Sequence, residues 1–256
     1  NQLLISLNIR TLEYSDDSTR TLISSIQPSP LVILIAGQSN VANTLPTLSN
    51  ESPNVYNFYH GKLYLAKDPL LGATGKQGSL WIRMAEIVIA QSHYDSVVLI
   101  NVARGNSSIN DWIDTGKFSK LIEHTYASAS ELNLAPDVIL WGHGERDAID
   151  SMQGEQYNQK LRQLMHNISL FHHNKPIIIS ITSKCYLTPN NNGIRTAQYK
   201  LVKDIDAIRS GPDTDRLGSQ YRYDNCHFNN EGSDILVTDW TNSLLPVLPL
   251  KKSEFK

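Results

Sequence analysis

The chain has 256 residues, 40% of them hydrophobic and 19% charged, enough to bury one large core and unlike a fibrous or disordered composition. Its formal charge is −2, from 23 basic and 25 acidic residues, and no basic run has the density of a nucleic-acid or anionic-membrane footprint. A small or neutral substrate is easier to accommodate than a polyanion, and no stretch reaches the roughly 18 uninterrupted apolar residues of a transmembrane segment.

In chain order, Leu3 to Ile9 alternates poorly and reads as an extra edge strand or part of an N-terminal extension; Glu13 to Pro30 is turn-rich and linker-like. Residues 1–30 are therefore expected to extend a single domain over residues 31–256. Leu31 to Ala36 is an apolar block without polar alternation, as expected of a central parallel strand covered on both faces. Gly37 permits a tight turn, and Ser39 and Asn40 are good starters for a short helix. A long polar loop with Tyr56, Phe58, Tyr59 and Tyr64 follows. Leu80 to Ala90 reads as a helix, with Ser79 as its N-cap and Trp81, Met84, Ala85, Val88 and Ile89 on a broad apolar face. Val97 to Val102, Val138 to Trp141 and Ile177 to Ile181 read as further buried strands. Phe118 to Leu132, Gln156 to Phe171, Thr196 to Ile208 and Glu231 to Leu244 read as helices. This alternation predicts a three-layer α/β/α sandwich, flavodoxin-like, with a five-stranded and mainly parallel core sheet.

Parallel strands deliver their C-terminal loops to one edge, where open α/β folds place their sites. Ser39 follows the first core strand, Arg104-Gly105-Asn106-Ser107 the second and Gly142-His143-Gly144-Glu145 the third, while Asp224-Asn225-Cys226-His227 precedes the last helix. Ser39 either caps a helix or is a nucleophile. As a nucleophile it needs a base, for which His227 is the candidate, and Asp224 stands three residues earlier, where one turn brings its carboxylate to the other ring nitrogen. The backbone N–H groups of Ser39 and Gly105, and a ring N–H of His143, are candidate donors to an oxyanion. His143, His227 and Asp147 lack an HExxH or compact Cys/His pattern, so neither a metal nor a cofactor is expected.

Cys185 and Cys226 are too few for a disulfide scaffold. A bond between them would pin the loop carrying Asp224 and His227; two separate reduced thiols are the alternative. The sequons at Asn50, Asn106 and Asn167 matter only in a glycosylating secretory host. The chain opens on Asn1 rather than Met, as a processed or truncated product does, which leaves location weakly constrained, with a secreted or otherwise extracytoplasmic one favoured.

Over Leu31 to Leu245 the ordered blocks Gly37-Gln38-Ser39-Asn40, Gly105, Trp141-Gly142-His143-Gly144-Glu145 and Asp224-Asn225-Cys226-His227 resemble those of the SGNH, or GDSL-like, hydrolases. The resemblance is to the branch with carbohydrate acetylesterases and sialate O-acetylesterases. It implies a serine esterase that removes O-acetyl groups from a carbohydrate, with Ser39, Asp224 and His227 as the triad and Gly105 and His143 at the oxyanion. Gln38, Asn106, Trp112, Arg104 and Glu145 are then expected to face the substrate, a small-molecule or oligosaccharide O-acetyl ester. Two departures stand out. His143 occupies a position where the branch has Gln, and Arg104 one where it has a small residue; Arg104 either pairs with Glu145 or Asp147, the favoured reading, or reaches a substrate carboxylate. Trp81 and Trp141 read as core, and His172-His173 as a solvated helix end. A carbohydrate O-acyltransferase using the same triad and a noncatalytic carbohydrate-binding protein are the rival readings.

Overall fold

The computed structural model describes residues 13–26, 29–186 and 191–249. Leu3 to Ile9, expected to be an edge strand or part of an N-terminal extension, lies outside the described residues. Eight strands form one sheet: β1 (Leu22–Ile23), β2 (Leu31–Gly37), β3 (Val55–Tyr59), β4 (Lys62–Leu65), β5 (Val97–Asn101), β6 (Val138–Gly142), β7 (Ile177–Ile181) and β8 (Ile208–Asp213). Their spatial order is β1-β4-β3-β5-β2-β6-β7-β8, so the sheet is larger than the five strands expected. The inner run β5-β2-β6-β7-β8 is parallel throughout and has the flavodoxin-like order. Parallel β3 and the antiparallel β4 and β1 widen it on one side.

Successive residues of a strand point to opposite faces, and β2 divides its apolar run accordingly. Leu31, Ile33 and Ile35 pack beneath α1 (Trp81–Gln91) and α6 (Asn230–Leu244), against Trp81, Met84, Leu236 and Trp240. Val32, Leu34 and Ala36 face the other layer, which is built by α2 (Leu121–Glu131), α4 (Gly154–His172) and α5 (Asn192–Asp204). The short α3 (Glu145–Ile149) follows β6 directly. Every residue of β2 but Gly37 is a buried hydrophobe, and each fully buried Leu or Ile contributes roughly 1.5–3 kcal/mol through removed apolar surface. The central strand is therefore rigid where its C-terminal turn begins.

Three local expectations are corrected. The aromatic segment expected to be a polar loop is a hairpin, β3 to β4, turned at His60-Gly61 with both residues at positive φ, 47° and 73°. The helix expected over Thr196 to Ile208 is α5, Asn192–Asp204, and Ile208 instead opens strand β8, whose IRSGPD sequence is tolerated because it forms on the sheet edge, where proline leaves no ladder bond unmade. Ser79 does not cap α1, because its hydroxyl donates to Asp68 Oδ1 at 2.7 Å. The linker-like segment after Glu13 is tied down: Tyr14 N–H donates to Ala73 O at 2.8 Å, Gly72 N–H to Tyr14 O at 2.9 Å, and Arg20 to the carbonyls of Lys67 and Pro69.

His172, expected to be solvated, is 1% exposed at the end of α4, with Nε2 3.2 Å from Pro176 O and its ring edge-on to Tyr126. His173 makes the left-handed C-cap instead. Burial pushes the His172 imidazole down from 6.5 to about 4. A depressed folded value means that the unfolded chain binds the proton more readily, so the stabilisation is complete above about pH 6.5 and is lost as pH falls towards 4. Urea unfolding at stepped pH should show this loss, roughly 3 kcal/mol in full. His172→Gln should flatten the slope between pH 6.5 and 4; an unchanged slope would remove His172 as its source.

Candidate active site

The site begins where β2 and β6 end side by side. Gly37 stands at φ 127°, and a Cβ built on it would lie 2.0 Å from Gly142 O, so only glycine lets the two strand ends close. Gln38 N–H donates to Gly142 O at 2.9 Å, and Gln38 Oε1 accepts from Gly144 N–H and Arg146 N–H at 3.2 Å each. Ser39 then opens a 3-10 turn, Ser39–Val41, at the mouth of the sheet. The turn after β5 is locked to the same place, since Arg104 N–H donates to Gly37 O at 2.8 Å.

Asp224 and His227 form one self-contained turn. Asp224 Oδ1 accepts from the backbone N–H of Cys226 at 2.9 Å and of His227 at 2.7 Å, and Oδ2 accepts from His227 Nδ1 at 2.7 Å. Burial alone would raise the Asp224 pKa, but these bonds, led by that from the His227 ring, hold it below the usual carboxylate range. Asp224 is thus an anion that fixes the imidazole with Nε2 outward. A disulfide joins Cys185 to Cys226, and Tyr186 N–H donates to Asn225 O at 2.8 Å, so the loop after β7 clamps this turn. Tyr223 stacks on His227 at 5.9 Å between ring centroids and donates its hydroxyl to Thr44 O.

Ser39 and His227 line one open cleft of about 430 Å³, together with Gln38, Gly105, Asn106 and Arg146. Catalytic hydrogen bonds in free enzymes are commonly long and tighten with substrate bound. Arg146 Nη1 donates to Asn106 Oδ1 at 2.9 Å and Nε to Asp150, which sets a polar rim. Gly105 N–H, a candidate oxyanion donor, meets the hydroxyl of Thr74 at 2.6 Å.

Four expected site residues lie elsewhere. His143 is fully buried: Nε2 is 3.0 Å from Ser107 O and Nδ1 3.4 Å from Asp147 Oδ2, with the ring stacked between Trp141 and Tyr157. Nε2 meets Ser107 O while Nδ1 is buried without a hydrogen-bond partner, so the ring ties the end of β6 to the loop after β5 and does not point at the cleft. Arg104 pairs neither with Glu145 nor with Asp147; its Nη2 meets Glu13 Oε2 at 2.7 Å, and its Nη1 donates to Gly72 O. Trp112 is 1% exposed, donates to Ser107 Oγ at 2.9 Å and packs edge-on to Trp141. Glu145 is buried and accepts from Asn40 Nδ2 at 3.0 Å.

Residues that spacing did not single out bind the site together. Asn40 Nδ2 donates to Glu145 Oε1 and also approaches Cys226 O at 3.4 Å. Cys226 O accepts as well from Arg222, a buried cation that lies 4.1 Å over the Phe228 ring and donates to Thr214 O. An arginine two residues before Asp224 has no sequence mark separating it from a surface charge. Asn40→Ala would leave the buried Glu145 Oε1 without its donor, while Cys226 O keeps Arg222, a cost of about 1–3 kcal/mol for one such loss. Urea unfolding should show at least that destabilisation together with a fall in turnover; a variant as stable and active as wild type would refute the role.

The profile of the family described as "Carbohydrate esterase, sialic acid-specific acetylesterase" matches residues 30–245. No curated protein sequence matches. Among solved structures, a protein from Arabidopsis thaliana is similar with a TM-score of 0.73 at 17% identity, over 86% of this chain and 100% of that one. XAC1771, a carbohydrate acetylesterase from Xanthomonas citri, is similar at 0.56 and 13% identity over 85% of this chain, which spans 56% of that one. A catalytic mutant of Axe2, an acetylxylan esterase from Geobacillus stearothermophilus, gives 0.55 and 14% identity over 84% and 94%. At such identities the structures establish the fold, and the match over residues 30–245 establishes the lineage: the chain belongs to the carbohydrate esterase, sialic acid-specific acetylesterase family.

Proposed function

We propose that this protein is a serine esterase that removes O-acetyl groups from a carbohydrate through an acetyl-enzyme on Ser39. The observation that carries the reading is the 2.7 Å bond from His227 Nδ1 to Asp224, which leaves Nε2 as the base beside a cleft that Ser39 also lines. The acetyl-sugar part comes from the family. A cleft of about 430 Å³ with amide, hydroxyl and guanidinium groups at its rim suits one sugar unit of a small molecule or oligosaccharide.

The steps balance without a cofactor. Ser39 Oγ attacks the acetyl carbonyl as its proton passes to His227 Nε2, and the backbone N–H groups of Ser39 and Gly105 receive the oxyanion. Collapse breaks the ester C–O bond, and His227 returns the proton to the departing sugar oxygen. Water then attacks the acetyl-enzyme with His227 again as base, releasing acetate and restoring Ser39. Asp224, held as an anion, stabilises the imidazolium in both halves. The disulfide favours an oxidising, extracytoplasmic place of action.

Acetate release measured over O-acetylated sialic acids, acetylated xylo-oligosaccharides and an aryl acetate tests the reading. Ser39→Ala should lower turnover by about 10⁴-fold or more with its unfolding midpoint near that of wild type, and Asp224→Asn should lose less. Product formed only when an acceptor sugar is added would establish acyl transfer instead. Sugar binding with equal rates in wild type and Ser39→Ala would establish a noncatalytic binding protein.

A further inference from the structure

With His143 turned into the core, the oxyanion position beside Ser39 and Gly105 has no side-chain donor from β6. The side chain bonded to the Gly105 N–H is that of Thr74. Its Oγ1 accepts from Gly105 N–H at 2.6 Å. A Cβ built on Gly105 would lie 3.2 Å from Thr74 Oγ1 and 3.8 Å from Ser39 Cβ, so the hydroxyl and the nucleophile's own carbon flank the same glycine.

Two features separate this hydroxyl from a loop anchor. The Thr74 backbone is already fixed without it: Thr74 N–H donates to Ala103 O at 3.1 Å, and Thr74 O accepts from Asn43 N–H at 3.0 Å. The hydroxyl's own proton has Ala103 O as its acceptor at 3.5 Å, the outer limit of a hydrogen bond, and that oxygen already serves the Thr74 N–H. A hydroxyl both accepts and donates. Thr74 therefore occupies the Gly105 donor as a carbonyl oxygen would, while its own proton is left with little to bind.

We propose that Thr74 is a catalytic residue that supplies the side-chain hydrogen bond of the oxyanion pocket. When the ester oxygen enters, Thr74 Oγ1 yields the Gly105 N–H to it and turns its own O–H onto the same oxygen. No bond to carbon is made and no proton is transferred; the hydrogen bond strengthens as negative charge develops, so it acts on the transition state more than on the bound substrate. The inference rests on the acetyl-enzyme reading.

Thr74→Val keeps the side-chain shape and deletes the hydroxyl. Its kcat on an aryl acetate should fall on the order of 10²-fold with KM little changed. The rate constant for phosphonylation of Ser39 by an aryl phosphonate should fall in parallel, because that reaction develops charge on the same oxygen. Thr74→Ser should recover most of the rate, and the unfolding midpoint of each variant should stay near wild type. Should Thr74→Val fail to fold, the pair Thr74→Ser and Thr74→Ala carries the comparison. Wild-type or higher kcat in the variant lacking the hydroxyl would overturn the proposal, the higher value marking Thr74 as a plug. So would a loss spread equally over KM and thermal stability, the mark of an anchor. Wild type and Ser39→Ala run alongside: if wild type shows no Ser39-dependent turnover or phosphonylation, the acetyl-enzyme reading falls and takes this inference with it. Normal wild-type behaviour with an undiminished Thr74→Val sinks the Thr74 role alone.

Discussion

The carbonyl of Cys226 is where the chemistry and the fold are tied together. It is buried among three chain segments, accepting from Arg222 and approached at 3.4 Å by the amide of Asn40, whose stronger bond goes to the carboxylate of Glu145. Asn40 follows Ser39, Glu145 opens the helix after β6, and Cys226 precedes His227. Glu145 and Arg222 are both withdrawn from water and each needs compensation nearby; removing one partner of such a buried arrangement typically costs about 3–5 kcal/mol. The amide and carbonyl between them link the buried Glu145 carboxyl group to the buried Arg222 guanidinium, so a shift of any one loop would leave a buried polar group without its partner. This is why three turns from distant parts of the chain hold one geometry.

The covalent bond at the same cysteine works from the other side. Cys226 is joined to Cys185 in the loop after β7, while its carbonyl is held from the core, so the Asp224–His227 turn is fastened at the residue before the histidine. Within the turn, Asp224 spends one oxygen on backbone N–H groups of its own turn and the other on the imidazole, and against the upward push of burial these contacts hold its pKa low. His143 has a supporting part in the same design. Its Nε2 meets Ser107 O at 3.0 Å, which braces the loop that carries Gly105 from inside the core.

The inner sheet and the two halves of the site were legible because both leave short-range marks. Apolar runs such as Leu31 to Ala36 report burial on both faces, and the Ser39 turn and the Asp224–His227 spacing are local constellations. The hairpin at Tyr56 to Tyr64 was obscured by its polar residues, among them Asn57, which is buried because its amide serves Leu71 N–H. Strand β8 was obscured by Gly211-Pro212, which only an edge position tolerates. The directions of long side chains were not legible at all. Arg104 turned to Glu13, a partner 91 residues away in the segment that looked like a linker, and His143 turned inward to Ser107 O in the loop after β5, because in each case the deciding acceptor comes from a distant segment of the chain.

The central claim, that Ser39 is the group acylated during turnover, is tested most directly by acid-quenching the protein while it consumes an aryl acetate and mapping its peptides by mass spectrometry. One acetyl group per chain is expected, on the peptide bearing Ser39, absent when His227 is replaced by alanine. Acetate formed with the acetyl group on a different side chain, or with Ser39 unmodified through the burst of product, would contradict it.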